Sequence, residues 1–216
     1  MGLKSLDHVA LWVADRDPIA GFAVAHLGMH VIERTDRFTL VGADARRGKL
    51  TLFEAPGPRE PGALVRIGLR VSDPDRAVDD VELGEGLVVR LTVAPTDVEY
   101  DLDHVTLRVR NPAAAAATWR ALGFGEAFEV NGSLRLDVAG AFLELVEGDP
   151  GEPERPLLNH LSVLVDSAEE WRRRAEQAGA EVADVVDAAN THAVFVWGPE
   201  RVKLEYVEHK PGFSLA

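Results

Sequence analysis

Four segments of this chain can be written over one another: LDHVALWV (6–13), LVRIGLRV (64–71), LDHVTLRV (102–109) and LNHLSVLV (158–165). Self-similarity at a spacing near 50 residues means a repeated supersecondary unit, and it constrains the fold more than any other feature. Each segment alternates apolar and small or polar residues, the pattern of a half-buried strand. A helix start follows each one. Asp17-Pro18, Asp73-Pro74 and Asn111-Pro112 place a capping side chain before Pro at the first helical position. Ser167 with Glu170 reads as a capping box. The spacing predicts helices over 18–27, 74–83, 112–122 and 168–178, stopped by Gly28, Gly84, Gly123 and Gly179.

Short strands are expected after each helix: 29–35, 38–43 and 49–54; then 126–130, 133–138 and 141–147; then 181–186, 191–197 and 201–208. The second unit offers only 87–94 as clearly extended and reads as degenerate. The fold class is therefore α+β, four βαβββ units. Linkers rich in Pro, Gly and acids (56–62, 95–101, 148–156) divide them. The expected organisation is an N-terminal pair over 1–97, metal-free, and a C-terminal pair over 98–216 with a metal site.

Composition narrows the chemistry. A net charge of −13 argues against nucleic acid or an anionic membrane surface as a partner. No apolar run approaches a spanning helix and the N-terminus lacks a signal-peptide pattern, so a cytoplasmic protein is expected. There is no cysteine, so any metal must be held by His and carboxylates.

Period-two geometry then decides which side chains meet. His8, Arg66, His104 and His160 share one position of the first strands, on the face opposite the helix-packing Val and Leu residues. The last strands align as KLTLFE (49–54), FLELVE (142–147) and KLEYVE (203–208), putting Thr51, Glu144 and Glu205 mid-strand on that same face. A buried carboxylate there needs a partner. The predicted metal ligands are His104, His160 and Glu205, with Glu144 left open as a fourth. His8, facing Thr51 instead of a Glu, reads as a relic of the repeat.

The LDHV and LNHL strands, the LGM and LGF after the first and third helices, and GPERVKLEY (198–206) resemble the vicinal oxygen chelate superfamily. That group includes glyoxalase I, methylmalonyl-CoA epimerase, bleomycin and fosfomycin resistance proteins, and extradiol ring-cleaving dioxygenases. The resemblance implies pairs of units closed into cups around a divalent metal, with His104, His160 and Glu205 as ligands. Two His and one carboxylate suit Fe(II), with Ni, Zn, Co and Mn as alternatives. It implies a small-molecule substrate, a homodimer, and an extradiol-type dioxygenase acting on a small catecholic compound. If Glu144 joins the set, it resembles the four ligands of a glyoxalase- or epimerase-like lyase/isomerase. A metal-free binding or resistance protein is the third class. Two positions depart from the extradiol pattern: Phe195 stands where a Tyr is usual, and the acid/base His is absent from 145–157, leaving His192 as the catalytic candidate. Thr106, Arg108, Phe142, Ser162, Phe195 and Lys203 are the expected substrate contacts.

Overall fold

The computed structural model describes residues 2–45 and 47–213. The first unit contains β1 (Ser5–Val13), α1 (Arg16–Leu27), β2 (His30–Arg34), β3 (Phe38–Asp44) and β4 (Arg47–Glu54). The second contains β5 (Leu64–Val71), β6 (Val78–Gly84) and β7 (Leu87–Val93). The third has β8 (Asp101–Val109), α2 (Pro112–Ala121), β9 (Ala127–Val130), β10 (Ser133–Val138) and β11 (Ala141–Glu147). The fourth has β12 (Leu158–Leu164), α3 (Ala168–Gln177), β13 (Val182–Asp187), β14 (Thr191–Trp197) and β15 (Lys203–His209).

Local signals explain most boundaries. Asn111 accepts from Ala114 N and Ser167 from Glu170 N, satisfying free amides at the starts of α2 and α3. Gly28 closes α1 in the left-handed conformation its cap requires (φ 70°). The second unit differs from expectation. Asp73 caps only a single 3-10 turn (Pro74–Arg76), and the expected helix over 74–83 gives way to strand β6. VDDVELG pairs β-branched residues with Asp, a poor helix sequence, and it binds the edge of β7.

The pairing of units corrects the expected organisation. One sheet runs β13-β14-β15-β12-β1-β4-β3-β2 and the other β6-β7-β5-β8-β11-β10-β9. The first unit thus joins the fourth through antiparallel β1–β12, and the second joins the third through β5–β8. Each curved sheet takes one unit from each sequence half, so the halves 1–97 and 98–216 are not separate cups. The linkers show why. Residues around 60 and 156 run side by side (Glu60 N to Arg155 O 3.0 Å, Leu157 N to Glu60 O 2.7 Å), carrying the chain between sheets together.

Val9, Leu11, Val105, Leu107, Leu161 and Val163 are fully buried on the helix side, in one continuous core. The Tyr206 hydroxyl on β15 donates to the Leu122 carbonyl after α2, tying the first cup to the second across that core (2.8 Å). The opposite, concave faces carry the polar columns. Among the described residues no helix is long and apolar enough to cross a membrane.

Candidate metal centre

Pairing the first unit with the fourth brings His8 to His160. On β1 and β12 the two imidazoles meet edge to face, with Nε2 atoms 3.0 Å apart. Glu205 arrives from β15, which runs parallel to β12 with Ser162 opposite it. Its Oε2 lies 3.2 Å from His8 Nε2 and 3.3 Å from His160 Nε2. Among the described residues this is the one group of three His, Asp or Glu whose ligand atoms all fall within 4.8 Å. His8 is therefore part of the constellation, contrary to its reading as a relic.

The proton positions follow from the outer partners. His8 Nδ1 donates to Asp7 Oδ1 (2.7 Å), and His160 Nδ1 donates to Asn159 Oδ1 (3.0 Å). Each ring thus turns its Nε2 inward, where a metal would take the lone pair. Burial holds His160 below the usual imidazole range, His8 and Lys203 adding to the effect while Glu205 opposes it. Without metal, burial tends to raise Glu205, yet positive charge on the His8–His160 pair and polar contacts from His160 and Ser162 outweigh it and hold the carboxyl at about 2. Glu205 Oε2 is buried and accepts no hydrogen bond of ordinary geometry. Three electron-pair donors crowded this closely repel unless a proton or a metal cation sits among them. The donor set fits a divalent metal.

Asp7 is itself 1% exposed. Besides His8 it faces Lys49 Nζ, 2.9 Å from its Oδ1, and His209 Nε2, 3.1 Å from its Oδ2. Burial works against its charge, but Lys49, His209 and His8 hold the carboxyl well below the usual range. A cavity of about 170 Å³ opens beside these groups, lined by Phe38, Thr51, Thr191, His209 and Phe213 among others. Sequence reasoning missed Asp7, Lys49 and His209. Two signals were present: an Asp or Asn stands before the His in LDHV, LDHV and LNHL, and 205, 207 and 209 share one strand face.

The other predicted ligands lie in the second cup. Glu144 pairs across β11–β8 with Thr106, and every approach to its carboxylate is taken. Oε2 accepts from Thr106 Oγ1 (2.9 Å) and Arg66 Nη2 (3.1 Å), and Oε1 from Ser133 Oγ (3.0 Å) and Arg135 Nε (2.9 Å). Burial is again outweighed, by the bonds from Thr106, Arg135 and Ser133, and Glu144 is shifted down. His104 donates from Nδ1 to Asp103 (2.8 Å), while Arg66 Nε lies 3.3 Å from its Nε2. Arg66 thus stands where His160 stands in the first cup, and its guanidinium faces both groups a metal would have linked. His104 and Glu144 are not brought together with His160 and Glu205, so the four-ligand set is not assembled.

The substrate candidates divide the same way. Ser162, Phe195 and Lys203 lie in the first cup: Ser162 is buried, the Phe195 ring meets His160 at 5.1 Å, and Lys203 lies over the Phe195 ring. Thr106, Arg108 and Phe142 belong to the second, where Phe142 stacks on His104 (4.8 Å) under Arg135, and Arg108 is exposed. His192 is out of place as a catalytic residue. It pairs with Glu208, whose carboxylate caps α3 at Ala168 N (3.0 Å), so it faces the helix layer while Phe195 faces the cup.

Solved structures share this fold. A Bacillus subtilis protein described as a candidate dioxygenase superposes with a TM-score of 0.77 at 16% identity, covering 98% of this chain and 87% of that one. Glyoxalase I from Zea mays gives 0.73 at 14% identity, with 94% and 92% covered. The cppA protein of Streptococcus pneumoniae gives 0.63 at 14%, with 96% and 98% covered. No curated protein matches the chain in sequence. A family model does match, twice, over residues 5–100 and 101–206, and on that evidence the chain belongs to the Glyoxalase/Bleomycin resistance protein/Dioxygenase superfamily.

Proposed function

We propose that this chain is a metal-dependent enzyme of the vicinal oxygen chelate type, an extradiol-like dioxygenase acting on a small catecholic substrate. The observation that carries the reading is the inward convergence of His8 Nε2, His160 Nε2 and Glu205 Oε2, with both ring N–H groups bonded outward. Two imidazoles and one carboxylate with open positions favour Fe(II). A metal held there supplies Lewis-acid activation and a template for two vicinal oxygens and dioxygen.

The protein's own groups do the rest. Asp7 and Asn159 fix the imidazole orientation. Thr51 occupies the mid-strand place where a second carboxylate would stand as a fourth ligand, so no protein anion competes there for the remaining positions. Phe53 and Phe195 border His160 and exclude water from one side. His209, 3.1 Å from Asp7 at the cavity wall, takes the acid/base place expected of His192. The absence of Glu144 from this cup disfavours the lyase/isomerase alternative.

The test is oxygen uptake by anaerobically Fe(II)-loaded protein given a series of catechols, with ring-cleaved product followed by absorbance. Uptake coupled to ring cleavage, lost in His8→Ala, is the expected result. A loaded protein that consumes no oxygen with any catechol would sink the dioxygenase reading.

A further inference from the structure

The aligned last strands of the first cup, KLTLFE and KLEYVE, place a lysine at the same position on either side of the metal centre. The two differ sharply in environment. Lys49 is 3% exposed and neutralised by Asp7, with a second bond to the Ala45 carbonyl (2.9 Å). Lys203 is half-buried on the same strand and face as Glu205, and among the described residues no carboxylate pairs with it. Its ammonium instead lies 5.9 Å from the Phe195 ring centroid and 5.3 Å from that of Trp197. Ring faces compensate a partly desolvated ammonium only weakly, and an anion would complete the site.

The surroundings say what would carry that anion. Phe195 and Phe53 stand 5.1 Å and 6.4 Å from the His160 ring, so the metal ligand is bordered by aromatic surface. Trp12 and Phe38 continue the wall from Phe53, at 5.5 Å and 5.8 Å. We propose that the substrate is an aromatic carboxylic acid, its ring on the Phe53–Phe195 wall and its carboxylate on Lys203. This deepens the metal-centre reading, on which it rests for the placement of the vicinal oxygens.

The test titrates the full chain with benzoate and with its neutral isostere benzamide, followed by tryptophan fluorescence and calorimetry. Both the chelator-stripped and the Zn(II)-loaded protein are used. Because zinc itself attracts carboxylates, the stripped protein decides. There benzoate should bind about tenfold tighter than benzamide, a preference abolished in Lys203→Met and retained in Lys203→Arg. Equal binding of the two probes to the stripped protein, or a preference that survives Lys203→Met, would overturn the assignment. Unchanged zinc content in the variants shows that they fold. A separate arm, 2,3-dihydroxybenzoate with and without zinc, reports on the metal reading alone: a missing zinc-dependent gain there removes the metal centre and leaves the Lys203 result standing.

Discussion

The two cups of this molecule are built from the same unit and solve the same electrostatic problem in opposite ways. Each concave face gathers an imidazole, held by the Asp before it, and a mid-strand carboxylate. In the first cup the partner strand brings a second imidazole, so three electron-pair donors converge and call for a cation from outside. In the second the partner strand brings Arg66, and the cation is part of the chain. One substitution at a repeat-equivalent position therefore separates a ligand site from a structural ion pair. It also teaches that recurrence of a His in a repeat does not say which copies act together; strand pairing does.

Several substitutions would break or sharpen that contrast. The largest effect is expected from His160→Ala, which should abolish metal binding measured by elemental analysis, whereas His104→Ala should leave the metal content unchanged. Equal loss from both would dissolve the distinction between the cups.

Acid titration of the metal-free protein comes next. Glu205 is depressed from 4.5 to about 2, so its contribution is present above pH 4.5 and is lost as pH falls toward 2. The shift corresponds to roughly 3 kcal/mol. Glu205→Gln should remove that part of the acid limb in denaturant unfolding, and an unchanged limb would contradict it. His160 acts in a higher window. Its depressed pKa means the folded state resists protonation, so stability also declines as pH falls below the ordinary imidazole value.

In the second cup, Arg66→Met strands a buried Glu144 and should cost about 2 to 3 kcal/mol, the lower end because Arg135 stays bound. Arg66→His tests the contrast from the other side. It supplies a second imidazole facing His104 and Glu144, and metal stoichiometry should rise from one per chain toward two. The smallest effect on metal binding belongs to Asp7→Asn, which also strands the buried Lys49 and so lowers stability. Weakening the partner of His8 Nδ1 should lower metal affinity by about 10- to 100-fold without abolishing it, measured by competition with a chelator.

Much of the fold was readable in the sequence because each unit carries its own local instructions. The alternating first strands, the Asn111 and Ser167 caps and the left-handed Gly28 need no tertiary context. The second unit misled because Asp73-Pro74 is a genuine cap, but only a 3-10 turn follows before Val78 enters a sheet edge. Unit pairing was not legible. β1 could present the same apolar alternation to any of the other first strands, and the choice of β12 depends on how the two linkers cross together. The site inherited that error. Its two columns were visible by parity, yet joining them through the wrong pairing placed His104 and Glu144 beside His160 and dismissed His8.

The central claim is that one metal binds per chain, in the first cup only. A crystal of the Fe(II)- or Zn(II)-loaded protein, with the metal located by anomalous scattering, tests it most directly. The account predicts a single metal bonded by His8 Nε2, His160 Nε2 and the Glu205 carboxylate, with Arg66 still spanning His104 and Glu144. A metal bound by His104 and Glu144, or none between His8 and His160, would contradict it.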